Sequence, residues 1–201
     1  MDSLTVRPAC NATISSAARR NAAVNRLSSD DDDARFRSAV LPHLGDAYSL
    51  ARWITGNRAD AEDVVQDACL RAFRAIGSFS DGDGRAWVLT IVRNTAYTWL
   101  RKNRPSAVLA VEDLEAVETA QAILGDPDRE TPETKLIAEA DAASLHAAIA
   151  ALPTPYRETI ILRDSQELSY REIAAVTGVP IGTVMSRLAR ARRRVIATLA
   201  A

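Results

Sequence analysis

The sequence predicts an all-α protein, with two small helical domains joined by a flexible acidic linker. Three observations carry that reading. Apolar residues recur at helical spacing over 60–76, 85–104 and 181–195, and no segment alternates as a half-buried strand does. Aromatic residues make up only 5% of the 201 residues and alanine is abundant, which favours helices over sheets. Two helical blocks flank an acidic stretch broken by Pro105, Gly125-Asp126-Pro127 and Thr131-Pro132. The expected divisions are a disordered extension over 1–33, a first domain over 34–104, a linker over 105–140 and a second domain over 141–201.

Charge follows the same divisions. The chain has a formal net charge of −1, but residues 105–140 hold 2 basic and 9 acidic residues, a net −7. The blocks on either side are mildly basic, at +4 over 34–104 and +3 over 141–201. Such asymmetry points to a polyanion-binding protein with an acidic tether. No apolar run is long enough to cross a bilayer, and the N-terminus lacks the apolar core of a secretory signal. Cys10 and Cys69 share no metal-ligand or CxxC spacing. A reduced, cytoplasmic protein without membrane insertion, metal or cofactor is therefore expected.

Residues 1–33 are small and polar, lack periodicity and end in the run Asp30 to Asp33, which reads as disorder. "DAEDVVQDACLRAFRAI", residues 60–76, reads as an amphipathic helix with Asp60 as its N-cap. Glu62 and Asp63 suit the positive helix start. Its expected buried stripe is Ala61, Val65, Ala68, Cys69, Ala72 and Ile76, which makes Cys69 a small core residue. Asp63, Gln66, Asp67, Leu70 and Arg74 lie opposite. From spacing alone that face is either solvated or a partner surface.

The next helix, "RAWVLTIVRNTAYTWLRKNR" over 85–104, places Val88, Val92, Thr95 and Trp99 on one side. Arg93, Tyr97, Arg101 and Arg104 line another, with Asn94 between them. Aromatic and basic side chains interleaved in this way suit single-stranded nucleic acid, where bases stack on rings and cations hold the backbone. Alternatively Trp87 and Trp99 are simply core. The preceding glycine-rich loop "SFSDGDGRA" matches no phosphate-binding motif.

In the C-terminal block, helices are expected over Leu145–Leu152 and Pro155–Leu168, broken at Pro153. Their core residues are Leu145, Ile149, Leu152, Ile160 and Ile161. Ser169-Tyr170-Arg171-Glu172 is a capping box opening a short helix to about Val176. Gly178 ends that helix and Pro180 begins the next. Ile181, Val184, Leu188, Ala191 and Val195 then form one apolar stripe, and the whole reads as a helix-turn-helix. Its other side carries Ser186, Ala189, Arg190 and Arg193, flanked by Met185, Arg187, Arg192 and Arg194. Arg190 suits a bidentate bond to guanine and Met185 a thymine methyl group. The remaining cations suit phosphates.

Catalysis finds no support in the residues. His43 and His146 stand alone, and no phosphate loop, dinucleotide fingerprint or convergent set of groups is present. A simple helix-turn-helix regulator remains possible from these residues. It would bind duplex DNA without polymerase, usually as a symmetric dimer.

Taken together, "DAEDVVQDACLRAFR", "RAWVLTIVRNTAYTWLRK", "LPTPYRETIILRDSQELSYREIAAVTGVPIGTVMSRLARAR" and the acidic stretch between them resemble the extracytoplasmic-function (ECF) sigma factors of bacterial RNA polymerase. The resemblance covers residues 35–104 and 141–199. It implies a subunit that directs core RNA polymerase to specific promoters and helps open them, with no small-molecule substrate. Asp60, Asp63, Gln66, Asp67 and Leu70 would contact core polymerase. Trp87, Arg93, Asn94, Tyr97, Arg101 and Lys102, with the 78–86 loop, would read the melted −10 element and hold a flipped base. Thr183, Met185, Ser186, Arg187, Arg190 and Arg193 would read the duplex −35 element. The residue before Ser186 is often basic in this family and is Met185 here. The linker would run through the polymerase toward the RNA exit channel. An anti-sigma factor is the expected regulatory partner.

Overall fold

The computed structural model describes residues 31–79, 82–105 and 142–200, and every element among them is helical. Expectations for residues 1–30 and for most of the linker lie outside the described residues. In chain order the helices are α1 (31–39), α2 (Leu44–Thr55), α3 (Arg58–Ala75) and α4 (Gly84–Asn103), then α5 (Ala142–Ala150), α6 (Thr154–Ile160), α7 (Tyr170–Thr177) and α8 (Ile181–Leu199). Asp31, Asp32 and Asp33 lie in α1, not in the extension expected to end at 33.

Helices α2, α3 and α4 pack against one another. Leu50, Ile54, Val64, Leu89, Val92 and Leu100 are buried between them. The side of α3 facing the other two is built largely of Ala61, Ala68 and Ala72, whose small side chains allow close approach. Asn57, and not Asp60, caps α3. Its backbone is extended, and its side chain accepts the Asp60 N–H at 2.9 Å. The helix therefore starts earlier, and Asp60 becomes its third residue. The buried stripe is also turned slightly from expectation, with Val64 buried while Val65 and Cys69 are half-buried. Asp83 caps α4 by accepting the N–H groups of Arg85 and Ala86. Trp99 is half-buried on α4, with the Arg104 guanidinium 5.5 Å from its ring.

In the C-terminal part, α6 ends at Ile160 and passes into a π turn over Ile161–Ser165. The single helix expected over Pro155–Leu168 is thus cut short. The capping box forms as read, with the Ser169 N–H donating to Glu172 at 2.7 Å and the Glu172 N–H donating to the Ser169 hydroxyl at 3.3 Å. Gly178 terminates α7 with φ 71°, a left-handed conformation that suits glycine. Val184, Leu188, Ala191 and Val195 are buried along α8. Ile181 is not, at 41% exposed, because the stripe is covered only from the second turn onward.

The two parts are in direct contact. Leu162, Leu168, Ile173, Val176 and Val184 join the apolar cluster of α2, α3 and α4. A second cluster holds Ala148, Leu152, Tyr156, Ile160, Ile161, Leu188, Ala191 and Val195, with Leu145 and Ile149 packed against it. The helix-turn-helix is therefore divided. Its N-terminal half is core to the first helices, and the second half of α8 is core to α5 and α6.

Candidate nucleic-acid interface

Three surfaces carry the residues singled out in the sequence. The first is the outer side of α3. Asp63, Gln66, Asp67 and Leu70 are exposed, Leu70 by 57%. Asp67 pairs with Arg71 across one helical turn at 2.9 Å. Asp60 is set apart from this group. It is half-buried, and Arg104 and Asn57 hold its carboxylate. Beside Leu70, Phe73 is 44% exposed and meets Phe36 edge-on at 5.4 Å between ring centres. Phe36, Leu44, Val65, Gln66, Cys69, Leu70 and Phe73 line an open apolar groove of about 500 Å³. The sequence reading missed Phe73, although its place three residues after Leu70 puts it on the same side of the helix. Burial pushes the Cys69 thiol up from its ordinary value.

The second surface is α4, and the structure divides its expected nucleic-acid face. Asn94, Arg101 and Lys102 are exposed. Trp87 is half-buried against Phe79, with ring centres 4.7 Å apart. Arg93 and Tyr97 instead face the C-terminal part. Arg93 grips the Glu158 carboxylate with two hydrogen bonds of 3.0 Å each. Its guanidinium also lies 4.5 Å over the Tyr97 ring. Glu158 is fully buried. Burial pushes its carboxyl above the usual glutamate range, against the pull of Arg93 and then Arg187. Burial also raises the Tyr97 phenol well above its ordinary value, and Glu158 adds to that rise.

The third surface is the outer side of α8. Thr183, Met185, Ser186 and Arg190 are half-buried, while Ala189, Arg193 and Arg194 are exposed. Arg192 is bound to Asp164 at 2.7 Å, and the Arg194 guanidinium sits 5.0 Å from the Tyr156 ring. Arg187 departs from expectation. It is only 6% exposed and lies 3.8 Å from Glu158, so it points inward where a groove-facing cation was expected. A buried carboxylate needs counter-ions, and Arg187 and Arg93 provide them.

Among the described residues no group of His, Cys, Asp or Glu is arranged to hold a metal ion, and no helix is long and apolar enough to cross a membrane. His146 stacks on Trp53 at 4.5 Å and plays no part in the three surfaces.

Residues 39–105 match sigma-70 region 2, and residues 142–195 match sigma-70 region 4. The chain is 36% identical over 168 residues to the RNA polymerase sigma-H factor of Pseudomonas aeruginosa, covering 82% of this chain and 86% of that one. It is also 36% identical over 178 residues to the ECF RNA polymerase sigma-E factor of Escherichia coli K12, covering 86% and 90%. The chain belongs to the ECF sigma factors. Two solved structures agree with this sigma-factor fold. The sigma factor RpoE in complex with the anti-sigma factor NepR, from Bartonella quintana, aligns at a TM-score of 0.61 with 27% identity, over 82% of this chain and 96% of that one. CnrH in complex with the cytosolic domain of CnrY aligns at 0.54 with 25% identity, over 87% and 94%. As a sigma factor, the protein serves transcription initiation by directing RNA polymerase to promoters, and sigma factors are regulators of transcription rather than catalysts. Helices α2 to α4 lie within the region 2 match, and α5 to α7 with most of α8 lie within the region 4 match.

Proposed function

We propose that the three surfaces divide the work of promoter recognition in a cytoplasmic protein without catalysis of its own. The observation that carries this reading is the outer side of α3, where acidic side chains border an exposed Leu70 and Phe73 beside an open apolar groove. Such a surface suits a stable protein partner better than nucleic acid, because phosphates repel carboxylates. Core RNA polymerase is the partner assigned to it, through Asp63, Gln66, Asp67 and Leu70, with Asp60 bracing the start of the helix.

Residues 34–104 form the −10-reading domain and 141–201 the −35-reading domain, joined by the acidic linker over 105–140. On α4, Trp87, Asn94, Arg101 and Lys102 meet the melted strand, and Arg93 and Tyr97 join them when α6 is displaced. On α8, Thr183, Met185, Ser186, Arg190 and Arg193 face the major groove of the −35 element. Arg187 supports α8 from within. The solved sigma factor RpoE, bound to the anti-sigma factor NepR, supports a regulatory partner of the same kind here.

The test combines the purified chain with bacterial core polymerase and then maps transcription starts on genomic DNA. The expected result is a stable complex and new starts that share two spaced sequence elements. Asp63→Arg and Asp67→Arg should weaken the complex. Arg190→Ala should spare the complex and lower promoter use by about tenfold, the loss of a bidentate base contact. Tight duplex binding without any polymerase complex would replace this reading with that of a simple regulator.

A further inference from the structure

Helix α1 lies ahead of the region 2 match, which begins at residue 39, and it meets the connection from α3 to α4 at three points. Asp32, Arg35 and Ala39 follow one another at i, i+3 and i+7, so they share one side of α1. Asp32 lies over Gly77, where a Cβ would come 3.9 Å from its carboxylate. Arg35 donates from its guanidinium to the Phe79 carbonyl at 2.9 Å, across 44 residues of sequence. The Ala39 carbonyl backs onto Gly84, so closely that a Cβ there would lie 2.8 Å from its oxygen. Phe36 faces elsewhere, toward Phe73 and the groove beside α3. The neighbouring Arg37 shows the ordinary alternative, since it pairs within α1 with Asp33 at 3.9 Å.

The bond from Arg35 falls where the chain leaves helical geometry. Phe79 is extended, with φ −71° and ψ 111°, so its carbonyl is no longer turned along a helix. A charge-assisted donor fixes such a carbonyl more firmly than a neutral one. The Phe79 ring in turn packs on Trp87, with ring centres 4.7 Å apart and planes inclined by 35°. Trp87 stands in the first turn of α4, its N–H bonded to the Asp83 carbonyl at 3.1 Å. The start of α4 thus holds the Trp87 main chain, and Phe79 limits where its indole can lie. Turning Phe79 about its backbone would take its ring off that indole. From this chain of contacts we infer that Arg35 is a positioning residue for −10 recognition, holding Phe79 so that the Trp87 indole stands where a base of the melted strand can stack on it. This rests on Trp87 meeting the melted strand, as proposed above, and adds α1 to the parts that recognition requires. Arg35 acts through Phe79 and not by contact with DNA. Stacking depends on the angle and distance of the ring, so a displaced indole holds a base less well.

The experiment has two arms. In the first, the full chain carries fluorotryptophan at Trp53, Trp87 and Trp99, and fluorine NMR observes each with neither polymerase nor DNA present. Arg35→Met keeps an apolar stem and removes the donor. It should shift the Trp87 resonance and leave those of Trp53 and Trp99 in place. Arg35→Lys still donates and should restore the Trp87 resonance. In the second arm, the same chains are combined with bacterial core polymerase and transcription starts are mapped on genomic DNA. Arg35→Met should bind core polymerase as the unsubstituted chain does. It should lower promoter use by about tenfold, the scale of one hydrogen bond from a charged donor, and relax the bases shared at the −10 element but not those at −35. Arg35→Lys should recover most of that loss. A Trp87 resonance that stays in place overturns the inference. So does one that moves together with the other two, which would make Arg35 a general support of the helices. Undiminished promoter use overturns it as well, as does an equal loss of preference at both elements. If the unsubstituted chain gives no new starts, the promoter-recognition reading fails and takes the inference with it. A selective Trp87 shift in the first arm separates that failure from an Arg35 that positions nothing.

Discussion

Glu158 has no contact with water, and its two guanidinium partners lie 65 residues before it and 29 residues after it. No local pattern in the sequence reveals such a group, because Glu158 sits in a short helix where any glutamate would pass as surface. Gly84 is a similar case. A Cβ there would lie 2.8 Å from the backbone carbonyl oxygen of Ala39, which cannot rotate away. Gly84→Ala should therefore push the end of α1 off the start of α4 and cost about 1–3 kcal/mol, the usual range for overpacking. The denaturant midpoint measures it, and an unchanged midpoint would mean that α1 yields freely. At this level the sequence revealed the exposed acids of α3 and the exposed Arg193. It missed the inward turn of Arg187, since a helical wheel shows the angle of a residue but not which neighbouring helix covers it.

Most helices could be read from local chemistry. The Ser169–Glu172 capping box and the Gly178 stop were visible as motifs and formed as such. Ser169→Ala should cost about 1 kcal/mol. Bonds from Ser169 hold the Glu172 carboxyl below the usual glutamate range. A depressed folded value means that folding favours the carboxylate. The contribution is therefore complete above the ordinary glutamate range and fades as pH falls through the lower, folded value. Thermal melts across acidic pH should show the Ser169→Ala deficit shrinking on acidification. A deficit independent of pH would exclude the Glu172 half of the box. The cap of α3 was misplaced because Asn57 and Asp60 are both good caps three residues apart, and only the extended backbone at Asn57 decides between them. The π turn after Ile160 was invisible because Ile160, Ile161 and Leu162 form an uninterrupted apolar run without a breaker.

For the molecule as a whole, the all-α architecture and its two-part order were evident from periodicity and from the acidic break. The contact between the parts was not, because nothing within either part announces it. That contact predicts coupled unfolding. All three tryptophans, Trp53, Trp87 and Trp99, lie in the first part, while Leu162 lies in the second and is completely buried. Leu162→Ala should cost about 2–5 kcal/mol. It should also lower the transition reported by tryptophan fluorescence together with that reported by circular dichroism. A fluorescence transition that stays in place would show that the parts unfold separately. The shared cluster has a further consequence while the chain is being made. The first helices are complete at Asn103, but their apolar partners begin at Leu162, roughly sixty residues later. At typical rates of synthesis that gap lasts about 3–12 s. Throughout it, the growing chain shows the ribosome surface and its neighbours an uncovered apolar patch on α4 and an Arg93 still without its carboxylate.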